Sequence, residues 1–289
     1  MSDCNMLNRV LYIELFQPFA QYKNPFTFYY AQTYPLPPKS TIIGMLQNAV
    51  GEYYKEDLWS LKVSIHGGFE STFWNYQSLI KGEVSISKIG LVNKHKRNPL
   101  GNIWHPVYHY NITAQRTPVY QQELFNGCIH IFLRGDKELL ENINDALSKP
   151  SKILYLGRSE DVVFIRRVEL LDKADPKPTK KSIWLRYPMY IKRYIVRDGK
   201  RIEFPIKNQK YPVYSIPVTV KFYNNGTLIK HKAEITKTTE RHVDFQPVIY
   251  TGFDYIIKLR NGERKIEVKY EEFEINGNKF KIPCEFGWL

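Results

Sequence analysis

The order of strands and helices along residues 10–171 is the feature that most limits what this chain can fold into. Apolar and polar residues alternate in three segments, as is typical of half-buried strands: VLYIELF at 10–16, LKVSIH at 61–66 and CIHIFLR at 128–134. A fourth strand is predicted in VVFIRRVELL, which follows Gly157.

Two amphipathic helices are predicted between these strands. The first begins after Pro37 and Pro38, and its apolar face is formed by residues at helical spacing, Ile42, Leu46, Ala49 and Tyr53. Asp136 is a candidate N-cap for the second, whose apolar residues are Leu139, Leu140, Ile143 and Leu147. The resulting order, β-α-β-β-α-β, predicts an α+β fold with a ferredoxin-like core.

A large insertion, residues 67–126, separates the second and third strands and is predicted to be irregular. Basic and aromatic residues interleave within it, a composition expected of a loop that contacts an RNA backbone and stacks on bases. These residues are Lys94, Lys96, Arg97, Trp104, Tyr108 and Arg116, with His95, His105 and His109 among them. A solvated surface hairpin is the alternative, although the length of the segment favours a function.

A glycine loop precedes the last strand at Gly157, Arg158 and Ser159. The GxxxxGK[ST] pattern of nucleotide-binding loops is absent from the sequence. Gly157 would let an RNA phosphate approach the backbone, with Arg158 and the Ser159 hydroxyl adding contacts. A tight turn with a solvated arginine explains the same residues equally well. Under the first interpretation, Gly157→Leu should impair RNA binding more than stability.

The first predicted helix opens with Lys39, Ser40 and Thr41. A helix N-terminus presents free N–H groups and a partial positive charge, and Lys39 adds a full charge, so the segment is a candidate phosphate site. Capping of the helix by Ser40 or Thr41 is the simpler interpretation of the segment taken alone.

The charge of the chain indicates the class of its partner. There are 42 Lys and Arg against 29 Asp and Glu, a formal net charge of +13, which favours nucleic acid. No apolar run is long enough to predict a membrane helix and no signal peptide is recognisable, so a cytoplasmic protein is expected. The three cysteines, Cys4, Cys128 and Cys284, form no CxxC motif, and neither a metal site nor a cofactor is predicted.

The chain is predicted to divide into a first domain, residues 1–175, and a β-rich region, residues 183–289. Between them, DKADPKPTKKS at 172–182 is rich in Pro and Lys and is interpreted as a linker. Four dipeptides in the second region predict tight hairpin turns: Asp198-Gly199, Asn225-Gly226, Asn261-Gly262 and Asn276-Gly277.

Three segments in this order resemble the CRISPR-associated (Cas) protein family five: PPKSTIIGMLQNAVG at 37–51, RTPVYQQELFNGCIHIFLRG at 116–135 and LYLGRSEDVV at 154–163. The resemblance covers about residues 8–171. It implies a RAMP-superfamily subunit of a type I interference complex (Cascade). It also implies a ferredoxin-like, RRM-related core with a β-hairpin thumb, which would lie at about 92–118.

The resemblance further implies a function, namely to grip the 5′ handle of the crRNA and cap the backbone filament. Partners would be the repeated backbone subunit, the large subunit and, through the complex, target DNA. The implied RNA contacts are Lys39 and Ser40 near the handle, the loop Gly157, Arg158 and Ser159, phosphate contacts from Lys94, Lys96, Arg97 and Arg116, and a wedge from Trp104 or Tyr108.

One branch of that family cleaves repeat RNA with Tyr, Lys and His side chains. That triad has no residue-by-residue match in this sequence, so a non-catalytic subunit is favoured. A metal-independent endoribonuclease that uses the histidines between 95 and 109 is the alternative.

Overall fold

The computed structural model describes residues 9–27, 30–52, 56–81, 115–207, 211–231, 234–252, 254–260 and 267–289. Of residues 78–81 and 115–117 it describes the backbone only. Within these ranges, no helix is both long enough and apolar enough to cross a membrane.

A five-stranded sheet organises the first half of the chain. Its strands are β1 (Arg9–Ala20), β2 (Tyr30–Ala31), β3 (Lys62–Lys81), β4 (Gln115–Arg134) and β5 (Phe164–Asp172). The four long strands are antiparallel in the order β3-β4-β1-β5, and β2 pairs in parallel with β4 beyond the end of β1. The helices are α1 (Lys39–Val50), α2 (Glu56–Ser60) and α3 (Lys137–Ser148). Without the short β2 and α2, the elements follow the predicted order.

Helices α1 and α3 pack on one face of this sheet. Residues Leu11, Ile13 and Leu15 of β1 share a buried apolar cluster with the helices' apolar residues, Ile42, Ile43, Leu46, Leu139, Leu140 and Ile143. Asp136 caps α3 by accepting hydrogen bonds from the backbone N–H groups of Glu138 and Leu139, as predicted.

The hairpin formed by β3 and β4 differs from the sequence prediction. Both strands are 20 residues long, and they stay in register from the pair Lys62 and Arg134 to the pair Lys81 and Gln115. The prediction of irregular structure was therefore wrong for residues 67–81 and 115–126.

The physical reason for this error lies at Gly67, which suggests a break in the sequence pattern. Its φ is +129°, and a Cβ there would lie 2.1 Å from the carbonyl oxygen of Cys128. Glycine thus keeps the two strands paired through a close approach. The remainder of the insertion, residues 82–114, lies outside the described residues, and with it most of the thumb predicted at 92–118.

The second half of the chain is built from short strands. They are β6 (Lys177–Thr179), β7 (Ser182–Trp184), β8 (Tyr190–Lys192), β9 (Tyr194–Arg197), β10 (Lys200–Glu203), β11 (Val213–Asn224), β12 (Thr227–Leu228), β13 (Glu240–Tyr250), β14 (Ile256–Lys258), β15 (Val268–Ile275) and β16 (Asn278–Pro283). They pair as β12-β11-β13-β8, β16-β15-β6, β14-β7 and β10-β9. The predicted linker therefore contains a strand, since β6 pairs with β15.

Three of the four predicted hairpin turns are confirmed. They connect β9 to β10, β11 to β12 and β15 to β16, and both central residues of each turn have positive φ: Asp198-Gly199, Asn225-Gly226 and Asn276-Gly277. The fourth pair, Asn261-Gly262, lies outside the described residues.

The two halves of the chain share apolar clusters. Phe273, Phe280 and Trp288 pack with Tyr12 and Phe132 on the sheet face opposite the helices. On the helix side, the large cluster also takes in Tyr190, Ile216 and Val248 of the second half. The division into two domains at residues 175 and 183 stays a prediction, but the halves bury residues against each other.

Candidate nucleic-acid interface

The glycine loop is held by a buried carboxylate. Asp161 is completely buried, and its Oδ2 accepts hydrogen bonds from the backbone N–H groups of Gln21, at 3.0 Å, and Arg158, at 2.9 Å. Its Oδ1 lies 2.8 Å from Nη2 of the Arg158 guanidinium. The loop, which a β-bridge between Tyr155 and Val162 closes, is thereby fixed to the end of β1.

The Arg158 guanidinium has a second carboxylate partner. Its Nη1 lies 2.9 Å from Oε1 of Glu123 on β4, and the arginine side chain is 21% exposed. We call Arg158, Asp161 and Glu123 the arginine clamp. Two carboxylates already compensate the guanidinium charge, so stabilisation of the loop is enough to explain why Arg158 is there. Contact of Arg158 with RNA phosphate stays a prediction.

The backbone conformation at Gly157 and the atoms packed around it leave room only for glycine. Its φ is +116°, and a Cβ there would lie 2.8 Å from Oδ2 of Asp161 and 2.9 Å from the carbonyl oxygen of Gln21. A larger residue would therefore strain the fold, and this geometry argues against the expectation that Gly157→Leu impairs RNA binding more than stability. Ser159 is exposed and donates a hydrogen bond to Glu160, so its hydroxyl still faces solvent.

The start of α1 places a lysine in a poorly solvated position. Pro38 is the N-cap and no side chain caps the helix, so the capping by Ser40 or Thr41 that was the simpler interpretation is wrong. Lys39 is 8% exposed, and its Nζ donates to the carbonyl oxygen of Leu289 at 3.4 Å. Burial and the nearby Lys192 lower the pKa of Lys39 to about 8.

Lys192 belongs to the same positive region, because burial and nearby Lys62 lower its pKa in turn. Lys39, Lys192 and Lys62 therefore form a chain of neighbouring cations beside the half-buried Ser40. Among the described contacts, this region and the arginine clamp share no residue. The structure does not join the two motifs into one site.

A row of tyrosines crosses three strands of the sheet. Tyr120 on β4 pairs directly with Tyr30 on β2 and with Tyr76 on β3, and its ring centroid lies 6.1 Å and 5.5 Å from theirs. All three residues are exposed, Tyr30 to 63%, Tyr76 to 59% and Tyr120 to 46%. We call them the tyrosine row.

A second set of exposed rings lies on the same hairpin. Phe125 on β4 pairs with Phe19 on β1, and the rings of Phe19, Phe73 and Phe125 lie within 6.5 Å of their neighbours. Residues 120 and 125 are five apart on one strand, so alternation places this phenylalanine row on the face opposite the tyrosine row. Both rows leave large apolar rings in contact with solvent.

The sequence prediction missed both rows. The aromatic residues between 69 and 76 are visible in the sequence, but an irregular segment has no faces to which they can be assigned. The predicted insertion residues Lys94, Lys96, Arg97, Trp104 and Tyr108 lie outside the described residues, and Arg116 is described only by its backbone pairing with Ile80.

The two histidines of the sheet are buried. Burial lowers the pKa of His66 to about 3 and of His130 to about 4, so both are neutral near pH 7. The ring of His130 packs on that of Tyr187, with the two centroids 4.4 Å apart. His95, His105 and His109 lie outside the described residues.

A sequence model of a known family matches most of the chain. The family is described as CRISPR-associated protein (Cas_Cas5), and the match covers residues 10–236. The chain belongs to the Cas5 family. This membership confirms the resemblance seen in the three sequence segments. No curated protein matches this Cas5 chain.

Several solved structures are similar to it at low identity. A chain of a "CRISPR RNA-guided surveillance complex" is 15% identical, with 86% of this chain and 90% of that chain covered and a TM-score of 0.46. A "CRISPR protein from Archaeoglobus fulgidus" is 14% identical, with 96% and 100% covered and a TM-score of 0.36. A structure described as "Cas protein" is 22% identical, with 53% of this chain and 58% of that chain covered and a TM-score of 0.33.

Proposed function

We propose that this Cas5 chain is a non-catalytic RNA-binding subunit of a type I CRISPR interference complex. In this proposal it grips the 5′ handle of the crRNA and caps the backbone filament beside the large subunit, in the cytoplasm. Family membership supports the CRISPR association, and the exposed tyrosine row is the observation that supports RNA binding. In this proposal, the assembled complex binds target DNA, and the chain contacts that DNA only as part of the complex.

The topology supports a ferredoxin-like RAMP core. Four antiparallel strands in the order β3-β4-β1-β5 carry α1 and α3 on one face, which is the arrangement of a β-α-β-β-α-β unit. The hairpin of β3 and β4 extends well beyond the paired part of β1, and it would be the base of the thumb.

The tyrosine row suits unpaired nucleotides. Tyrosine rings on a sheet surface stack on bases of any sequence, and each such stack contributes about 1–3 kcal/mol. The formal charge of +13 supplies the long-range attraction to phosphate that stacking alone lacks. A single-stranded handle held on the sheet would use both interactions, with its bases stacked on the tyrosines and its phosphates near basic side chains.

A second candidate function is cleavage of the repeat RNA, and one arrangement favours it. Lys221 on β11 pairs directly with His242 on β13, and the rings of His242 and Tyr223 lie 4.9 Å apart. Lysine, histidine and tyrosine are suited to metal-independent cleavage as charge stabiliser, acid and base. These side chains lie on β11 and β13, outside both the glycine loop and the start of α1. We propose that they do not cleave RNA.

Gel analysis of end-labelled CRISPR repeat RNA separates the two candidates. Purified protein in EDTA is mixed with the repeat or with a length-matched scrambled RNA, and the products are resolved on native and denaturing gels. The proposal expects an intact repeat that is shifted in preference to the scramble. A defined cut would instead show an endoribonuclease. Its loss in His242→Ala would assign the cut to β11 and β13, and its loss in alanine variants of His95, His105 or His109 would assign it to the insertion. Equal binding of both RNAs would contradict handle recognition.

A further inference from the structure

Three metal-ligand side chains meet on the sheet face opposite the helices. Glu14 on β1 pairs directly across the strands with His130 on β4, and Cys128 precedes His130 by two residues, on the same face. One ligand atom from each residue, a carboxylate oxygen, the thiol sulfur and a ring nitrogen, lies within 4.8 Å of the other two. This is the one such group among the described residues.

The distance between the sulfur and the nitrogen fits a shared ion. Sγ of Cys128 lies 3.5 Å from Nε2 of His130. With zinc bonds of about 2.3 Å to sulfur and 2.0–2.1 Å to nitrogen at a tetrahedral angle, the two ligand atoms are separated by about 3.5 Å. The sulfur and nitrogen on β4 are therefore already at the spacing that a shared ion requires.

The other ring nitrogen of His130 is already oriented. Nδ1 lies 2.8 Å from the Tyr12 hydroxyl, and that hydroxyl donates to Oε2 of Glu14 at 3.2 Å. In the tautomer that fits both contacts, Tyr12 donates its proton to Glu14, Nδ1 of His130 donates to the Tyr12 oxygen, and Nε2 keeps its lone pair on the side of Cys128. Metal-bound histidines are typically held in this way by a hydrogen bond on the second nitrogen.

From this geometry we propose that Glu14, Cys128 and His130 form a zinc site, with Tyr12 orienting both Glu14 and His130. Thiolate and carboxylate together balance the charge of a divalent ion. Three protein ligands leave a fourth coordination position for water or for a donor from outside the chain. Glu14 and Cys128 are half-buried, so an ion reaches the site from solvent.

The types of ligand support zinc over harder cations. A thiolate and an imidazole nitrogen are ligands that zinc commonly takes, whereas magnesium and calcium are bound mainly by oxygen. The cysteine sulfur binds zinc as a thiolate, so zinc uptake should release the thiol proton, one per site, which magnesium bound by oxygen ligands alone would not do.

Zinc titration of the full chain tests this proposal. The protein is stripped with a chelator and titrated with Zn²⁺ against a chromophoric competitor, and Co²⁺ provides a second probe through its thiolate charge-transfer absorption. We expect one Zn²⁺ per chain, one proton released, and a cobalt–thiolate band. In a Cys4→Ser/Cys284→Ser background, Zn²⁺ should protect Cys128 from thiol reagents.

Matched variants locate the site. Cys128→Ser should abolish the cobalt–thiolate band, whereas Cys284→Ser, which removes another half-buried thiol, should leave it intact. Tyr12→Phe keeps the packing and should weaken zinc binding by about 10- to 100-fold, as loss of an orienting hydrogen bond does. Zinc binding that is unchanged by both Cys128→Ser and Tyr12→Phe, or absent from the folded wild-type chain, would overturn the proposal.

Discussion

The arginine clamp and the tyrosine row differ in how far their side chains already interact with the rest of the protein. In the clamp, the charge of Arg158 is met by Asp161 and Glu123, so its strongest interactions are already made inside the protein. In the tyrosine row, the rings touch each other but leave about half or more of their surface in water. The difference indicates that the clamp stabilises the fold and that the row is free to bind a partner.

The largest expected effect is on the buried carboxylate of the clamp. Asp161→Ala leaves the backbone N–H groups of Gln21 and Arg158 without their acceptor and removes one of the two carboxylates that compensate the Arg158 guanidinium, and should lower the free energy of unfolding by about 3–5 kcal/mol in urea titrations. Glu160→Ala is the matched control, because its carboxylate also contacts Arg158 but is exposed, and it should change stability by less than about 0.5 kcal/mol. Equal effects of the two variants would contradict the clamp.

The next effect concerns the glycine of the loop. Gly157→Leu should cost about 2–4 kcal/mol of stability, since it combines a positive φ with a Cβ that meets the backbone of Gln21. Gly44→Leu is the control, because Gly44 is exposed on α1 and a Cβ there meets nothing within 4 Å. Thermal unfolding should leave the control as stable as the wild type or more stable. A stable Gly157→Leu protein would return the loop to the RNA-binding interpretation.

Lys39 contrasts with Arg158, because burial and the neighbouring Lys192 both disfavour its positive charge. Its pKa is about 8 in the folded chain and 10.5 in its ordinary state, so the unfolded chain binds more protons between these values. Stability should therefore rise by about 2–3 kcal/mol from pH 8 to pH 10.5. Lys39→Met should remove most of this rise in urea titrations at several pH values, and an unchanged pH dependence would contradict the assignment.

The smallest expected effect is on RNA affinity. Tyr120→Ala, which removes the central ring of the row, should weaken binding of handle-bearing RNA by about 1–3 kcal/mol, the contribution of one stacked base, measured by fluorescence anisotropy. Tyr255→Ala removes another exposed tyrosine, 55% exposed, and should leave affinity unchanged. If both variants bind as the wild type does, the tyrosine row is not the RNA surface.

Much of the fold could be predicted from local patterns. Alternation and helical spacing identified the four long strands and the helices α1 and α3 up to residue 171, but not the short β2 and α2. The turns at 198, 225 and 276 followed from the positive φ that Asn-Gly and Asp-Gly pairs adopt readily. The length of β3 and β4 could not be predicted, because Gly67 and Gly68 resemble a break until the partner strand is known.

The candidate site was harder to predict for a related reason. Gly157-Arg158-Ser159 is conspicuous in the sequence, yet its partners Gln21 and Glu123 are more than 30 residues away, so its structural role is invisible there. The tyrosine row depends on the parallel pairing of β2 with β4, a contact between residues 30 and 120 that no local pattern encodes. Glu14 likewise lies more than 100 residues from Cys128 and His130 in the sequence, and only the pairing of β1 with β4 brings the three together.

Ultraviolet crosslinking of bound handle RNA, followed by mass spectrometry of the crosslinked peptides, shows which surface holds the RNA. We expect crosslinks at Tyr30, Tyr76 and Tyr120, on three neighbouring strands, with peptides that span 157–161 crosslinked weakly or not at all. Crosslinks confined to the glycine loop and absent from β3 and β4 would contradict this expectation.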